Sequence, residues 1–250
     1  MDNYFVSSCK RVKDWICRQF GQKEKKTVHH KKFADGGEVI VWETGRAGEE
    51  AASYENLFLR KEIAGFRTNI RREQSCSIKS LTRDYLYKQL LSSGEYTFDH
   101  MLVIKDPYGE APLTALALFI LEEPACVRVT TKGNLKETDF VTELPKKKEH
   151  RVPILGMYAE KANDIVIEIL DDEGNCVKSH TFTIRTKRLP KSLRNVITVK
   201  KWTDKPAYSN IMINGGVKIH TCVFDIEGKI RYYLSRKPRG YGIFPLSDGH

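Results

Sequence analysis

No apolar run in this sequence approaches the roughly 18 residues that a membrane-spanning helix needs, so a spanning helix is excluded as a reading of it. Residues 1–30 also lack the uninterrupted apolar core and small-residue cleavage site of a secretory signal, and the expected compartment is the cytoplasm. Cys9, Cys17, Cys76, Cys126, Cys176 and Cys222 contain no C-x-x-C pair. That spacing suggests neither a zinc ribbon nor a thioredoxin-type centre and leaves reduced thiols as the expectation. Arg-Gly repeats, zinc-finger spacing and aromatic ribonucleoprotein motifs are missing, so nucleic acid is not an expected partner. Metal-site spacing is missing as well. His29 and His30 are adjacent and point in different directions on any regular element. The acidic run Asp171, Asp172, Glu173 and Asn175 lacks the distal Glu of a calcium loop. Neither a metal nor a cofactor is called for.

What is present is enough for a core: 40% of the 250 residues are hydrophobic, sufficient for one large domain or two small ones. The net charge of +10 is unevenly placed. Lys+Arg against Asp+Glu run 18 to 14 over residues 1–99, 13 to 14 over 100–190 and 11 to 4 over 191–250. The positive field therefore sits at the two ends, where it attracts polyanions, anionic surfaces or small anionic substrates.

Residues 1–79 read as an N-terminal extension. Val12, Trp15, Ile16 and Phe20 stripe a short helix, Lys23 to Lys32 reads as a charged linker or loop, Val39 to Trp42 as a strand and Tyr54 to Ile63 as a helix. From Ser80 the signals sharpen. Ser80 is a candidate cap for a helix carrying Leu81, Tyr85, Leu86 and Leu90, which Ser92-Ser93-Gly94 stops. Short β-rich runs follow at Tyr96–Phe98, Met101–Ile104, Leu113–Ile120 and Cys126–Thr131, separated by turn chemistry that includes Asp106-Pro107-Tyr108-Gly109 and Glu122-Glu123-Pro124. In Leu113–Ile120, Leu116, Leu118 and Ile120 alternate with Ala115, Ala117 and Phe119, so both faces of this strand are covered. Ile165–Leu170, the hairpin loop at Asp171–Asn175 and Val177–Ile184 complete an antiparallel sandwich over residues 80–190. Leu189-Pro190 ends it. Residues 191–250 then read as strand, turn, strand, tight turn and strand, the last hairpin being Phe224-Asp225-Ile226-Glu227-Gly228-Lys229-Ile230-Arg231-Tyr232-Tyr233-Leu234.

Several ordered segments carry a family resemblance: Tyr96-Thr97-Phe98, Pro107-Tyr108-Gly109 with Ala111 to Leu116, His150 to Tyr158, Phe224-Asp225 with Gly228, Ile230 to Leu234, and Tyr241 to Leu246 with Asp248-Gly249. Over residues 80–250 the chain resembles the bacterial aryl-sulfate sulfotransferases. The resemblance implies a mainly β protein: an antiparallel, Ig-like N-terminal β-sandwich followed by the first strands of a β-propeller, after a short helical extension. It also implies transfer of a sulfuryl group from a phenolic sulfate ester to a phenol through a sulfated histidine, without 3′-phosphoadenylyl sulfate or any other cofactor, and a homodimer formed through the sandwich. Members of the family are often periplasmic or exported. Asp106 stands where the family usually carries Asn, and residues 1–79 match none of its segments.

A propeller needs at least four blades and only one begins here, so the expectation is a front part that is inactive alone, with the nucleophilic histidine beyond residue 250. The candidate funnel histidine is His250, and Arg231, Arg236 and Arg239 are candidates for steering an anionic sulfate ester. The alternative is a non-catalytic sandwich module for binding or dimerisation, with a basic tail.

Overall fold

A computed structural model of the chain describes residues 28–33, 36–54, 72–195, 197–198, 200, 210–213 and 220–235. Its main body is one bent sheet. Strands β1 (Val28–Lys32), β2 (Glu38–Trp42), β3 (His100–Lys105), β4 (Ala115–Thr131), β6 (Ala162–Leu170) and β7 (Cys176–Arg185) follow in that order, and β5 (Phe140–Ile154) pairs with β4. All pairings are antiparallel except β2 with β3, which run parallel. A parallel pair requires a crossover, and here it carries helices α1 (Thr44–Ala52) and α2 (Arg72–Ser92).

β4 explains the layered shape. Its first half pairs with β3, Leu102 opposite Leu118, and its second half pairs on the same edge with β6, Val127 opposite Ile169. The register with β5 slips between Ile120 and Ala125. Glu122-Glu123-Pro124, expected as a turn between two strands, is thus an exposed irregularity within one long strand. Proline has no N–H to give to a ladder and is tolerated at such a bulge. The ribbon β4–β5 bends there and passes from the first layer (β1, β2, β3) to the second (β6, β7). The free ends of the two layers then meet: Phe33, just after β1, stacks on His180 of β7 at 4.0 Å, and the Lys31 ammonium donates to the Thr183 carbonyl. The sheet is nearly closed on itself.

The alternation expected in β4 holds, with a specific partner for each face. Ala115, Ala117 and Phe119 turn inward with Val39, Val41, Met101 and Val103, against Val127, Val129, Ile165, Ile167 and Phe182 of the second layer. Leu116 and Leu118 turn outward with Ile40, Trp42, Leu102 and Ile104, and are covered by Ala47 of α1 and Leu86, Tyr87 and Leu91 of α2. β2, β3 and the first half of β4 are therefore buried on both faces, by helices on one side and the second layer on the other, while β1 at the edge stays largely exposed.

Several expectations change. Residues 28–32 form β1 rather than a loop, and His29 and His30 lie on it. Ser80 lies inside α2, which begins at Arg72, so it caps nothing. Helix α2 does end at Ser93-Gly94, where Gly94 takes φ +71° and its N–H reaches the Leu91 carbonyl. Leu81 is 41% exposed, whereas Leu86 is buried. The helices placed at Val12–Phe20 and Tyr54–Ile63 lie outside the described residues apart from Tyr54, which sits in a turn. The body also recruits β1, β2 and α1 from the stretch expected to be an N-terminal extension.

A second, three-stranded antiparallel sheet comprises β8 (Asn210–Ile213), β9 (Cys222–Asp225) and β10 (Ile230–Tyr233). Its β9–β10 turn is the expected one, with Gly228 at φ +75° and its N–H bonded to the Asp225 carbonyl. Cys222, Phe224, Ile230 and Tyr233 join the same apolar cluster as the inner face of the bent sheet.

Candidate functional site

Among the described residues, three of the segments that carry the family resemblance, His150 to Tyr158, Phe224-Asp225 with Gly228, and Ile230 to Leu234, meet where β9 and β10 dock on the bent sheet. The Asp225 side chain does two jobs. Its Oδ1 accepts the N–H groups of Glu227 and Lys229, both at 3.0 Å, which shapes the β9–β10 turn. Its Oδ2 accepts the Tyr158 hydroxyl at 2.8 Å and Arg231 Nη1 at 3.3 Å. Asp225 and Arg231 are 0% and 1% exposed, so this is an ion pair fully removed from water. A charge in such a place is tolerated only when its hydrogen bonds are met as well. Arg231 meets most of them: Nε donates to the Gly156 carbonyl at 2.6 Å, and Nη1 to the Thr138 carbonyl at 2.7 Å and the Tyr158 oxygen at 3.0 Å. The guanidinium also lies 4.0 Å from the centre of the Tyr158 ring.

Local sequence prepares the acceptors. Gly156 sits at φ +75°, and a Cβ there would lie 2.6 Å from the Cβ of Phe140, so only glycine presents this carbonyl without strain. The Tyr158 backbone is clamped by Asn163, whose Oδ1 accepts its N–H at 2.7 Å and whose Nδ2 donates to its carbonyl at 3.0 Å. Burial pushes the Tyr158 phenol up, and the phenol remains a donor to Asp225. Nearby, Ser235 N–H reaches the Glu110 carbonyl at 2.7 Å, tying the end of β10 to the turn after β3.

That turn is itself anchored to α2. Asp106 adopts φ +44°, its N–H reaches the Thr114 carbonyl and its Oδ1 accepts the Ala111 N–H at 2.9 Å. Arg83 Nη1 donates to the Pro107 carbonyl at 2.5 Å, joined there by the Tyr87 hydroxyl. Asp84 accepts both the Tyr108 hydroxyl at 2.6 Å and Arg151 Nη2 at 2.5 Å. Burial, and then the Asp84 carboxylate, push the Tyr108 phenol up to about 12.

The four candidate residues fare differently. Steering an anion needs a guanidinium that faces solvent, and Arg231 is inside, neutralised by Asp225. It is a joint between two sheets. Arg236, Arg239 and His250 lie outside the described residues. His220, two residues before β9, bonds through Nδ1 to the Leu234 carbonyl at 2.7 Å and is a packed histidine. Among the described residues no group of three or more His, Cys, Asp or Glu side chains could hold a metal, and no helix is long and apolar enough to cross a membrane. What sequence reasoning missed was the role of Asp225, Tyr158 and Gly156. A weak signal existed in Asp225, whose spacing to Gly228 marks a side-chain-supported turn, but nothing local tells Arg231 to fold inward.

The bent sheet, with two layers that share a ribbon and enclose one core, is an Ig-like sandwich. Residues 102–187, from β3 to just past β7, match the family model described as the arylsulfotransferase Ig-like domain. Over those residues the chain is similar to the Ig-like domain of arylsulfotransferases. A search of curated proteins finds no match.

Proposed function

We propose that this chain is the front part of an aryl-sulfate sulfotransferase, in which the Ig-like domain holds the opening strands of a propeller in place. The observation that carries the proposal is the buried joint of Asp225, Arg231, Tyr158 and Gly156, which locks β9 and β10 onto the domain matched by the family model. In this reading β8–β10 begin the propeller, and the reaction takes place in the funnel that a complete propeller encloses. A neutral histidine attacks the sulfur of a phenolic sulfate ester, an N–S bond forms, the S–O bond to the phenol breaks and phenoxide leaves. The departed phenoxide takes up a proton and the acceptor phenol gives one up; the acceptor oxygen then attacks the same sulfur, an O–S bond forms, the N–S bond breaks and the neutral imidazole returns. Cationic groups stabilise the charge on the sulfuryl oxygens and on the departing phenoxide. His250 is assigned to the funnel wall, and Arg236 and Arg239 to substrate steering. The nucleophile is supplied by the remainder of the propeller, so the chain alone is inactive. The Ig-like domain also pairs with a second copy, which sedimentation at micromolar concentration reads directly: a dimer is expected, and a strict monomer removes that claim.

The test is turnover of p-nitrophenyl sulfate with a phenol acceptor, measured for the 250-residue chain and for the chain fused to an arylsulfotransferase propeller. No turnover is expected from the first and turnover from the second. Acid-labile sulfation of the unfused chain by the donor overturns the placement of the nucleophile, and an inactive but folded fusion overturns the transferase reading.

A further inference from the structure

The bend of β4 leaves an open cleft in the wall of the sheet. On one edge the strand is bridged to the segment before β3 as far as Ile120, through Thr97, and β6 takes over from Cys126, which faces Leu170. Among the described residues nothing pairs with residues 121–125 on that edge. At the ordinary strand rise the gap is about 16 Å long. A cleft of about 940 Å³ opens beside it, between the loop at residues 94–99 and the β6–β7 hairpin. Its floor is apolar and accessible. Ile120, Ala125 and Ile169 are half-buried, and Val177 on the rim is 67% exposed, more than any other large hydrophobic side chain among the described residues. An apolar floor within a charged rim is the pattern of an interaction site.

The sign of the rim decides what fits. Six carboxylates and three ammonium groups line the cleft, and two of the ammonium groups are already engaged, Lys146 by Asp172 at 2.5 Å and Lys178 by Asp99 at 2.6 Å. Asp171 is turned to its own hairpin, where it accepts the N–H groups of Glu173 and Asn175. Among the described residues that leaves the side chains of Glu122, Glu123 and Glu173 without a cation, against the one ammonium of Lys148. A partner that brings positive charge is therefore favoured and an acidic one is repelled. Pro124 has no N–H for a ladder and the register slips at this point, so an added strand is poorly held and recognition falls to side chains.

We infer that the cleft at the β4 bend docks a basic, extended segment of a partner protein, with an apolar side chain laid against Ala125, Ile169 and Val177 and flanking Lys or Arg side chains reaching Glu122, Glu123 and Glu173. The inference concerns binding and stands independently of the transferase reading.

The probe is a fluorescently labelled peptide with blocked ends, Gly-Lys-Leu-Arg-Val-Lys-Gly, titrated with the 250-residue chain at low salt and followed by anisotropy. Saturable binding at one site per chain is expected, weakening as salt is raised. Glu122→Lys together with Glu123→Lys should weaken it roughly tenfold, the scale of two exposed ion pairs. Val177→Ser should weaken it roughly threefold by removing apolar contact. All three positions are exposed, so the fold tolerates these changes. Glu137→Lys, exposed in the turn between β4 and β5, should leave binding unchanged. Absence of saturable binding, or binding that neither cleft variant weakens, overturns the inference. Equal weakening by Glu137→Lys overturns it as well, since net charge alone would then be read. So does equal binding of a peptide with Ser in place of Leu and Val, which shows that the floor is not read, or of one with Glu in place of Lys and Arg, which shows that the rim is not.

Discussion

Arg231 shows how much a side chain's surroundings decide. It is a strand residue in a basic stretch, yet its guanidinium is directed into the protein at Gly156, Thr138, Tyr158 and Asp225. Removing one member of a buried pair leaves the other charged and unpaired. Arg231→Met and Asp225→Asn should therefore each cost about 3–5 kcal/mol in urea unfolding. The double variant Arg231→Met with Asp225→Leu should recover part of that loss, because no charge is then stranded. Single variants within about 0.5 kcal/mol of the parent would show that the joint contributes little to stability. Tyr96 and Tyr108 allow a second check at this scale. Burial, first in both cases, and neighbouring carboxylates push both phenols up to about 12. A raised acid value means that the folded state favours the neutral phenol, so their contribution is intact below the ordinary value of 10 and is lost as pH rises from there toward about 12. Phenolate absorbance of the native chain at pH 11 should fall well short of that of the unfolded chain, and equal absorbance would contradict the burial.

At the scale of elements, the bend in the β4–β5 ribbon is the organising event. His150 sits on its inner side, buried and stacked on Phe119 with ring centres 5.4 Å apart. Its Nε2 donates to the Lys147 carbonyl at 2.8 Å, beside the slipped pair Ala125 and Lys147. Burial holds this imidazole below its ordinary value of 6.5. The unfolded chain then binds a proton that the folded chain refuses, so stability is full above pH 6.5 and falls as the pH drops toward the lowered value. The urea midpoint should decline between pH 7 and pH 5, and His150→Gln should flatten that decline. An identical decline in the variant would place the acid sensitivity elsewhere. The outer edge of β5 is protected differently: Lys146, Lys147 and Lys148 are exposed along it, a charge run that discourages pairing with another chain.

For the whole molecule, the parallel pairing of β2 with β3 makes the N-terminal stretch part of the body rather than an appendage. Val39 and Val41 lie in the inner core, and Ile40 and Trp42 under the helices. A chain beginning at residue 80 loses β1, β2 and α1, which uncovers the edge of β3 and opens both apolar clusters. It should aggregate or unfold at temperatures the full chain survives, as a thermal melt followed by circular dichroism would show. A truncated chain as stable as the parent would restore the expectation that residues 80–190 fold alone.

Much of this was written in local pattern. The alternation of Leu116 and Leu118 against Ala115, Ala117 and Phe119, the turn at Asp106 to Gly109, the Asp171 to Asn175 hairpin and the Asp225 to Gly228 turn each depend on neighbours in sequence, and each is found in place. Of the segments that carried the family resemblance, Pro107 to Leu116 and His150 to Tyr158 lie within the match over residues 102–187, and those from Phe224 onward lie outside it. Other features depend on contacts between distant residues. Whether Glu122-Glu123-Pro124 ends a strand or kinks one was settled by β3 and β6 sharing an edge of β4. Whether Val28–Lys32 is loop or strand was settled by β2, since an exposed, charged segment becomes a strand only when a neighbour supplies its hydrogen bonds. Arg231 turned inward because Gly156 and Asp225, 75 and 6 residues away in sequence, place acceptors on one side of it. The amino-acid sequence by itself determined which segments alternate and where they turn, because those preferences are local; the tertiary structure alone decided which edges pair and which charges are buried, because both depend on partners that only folding brings together.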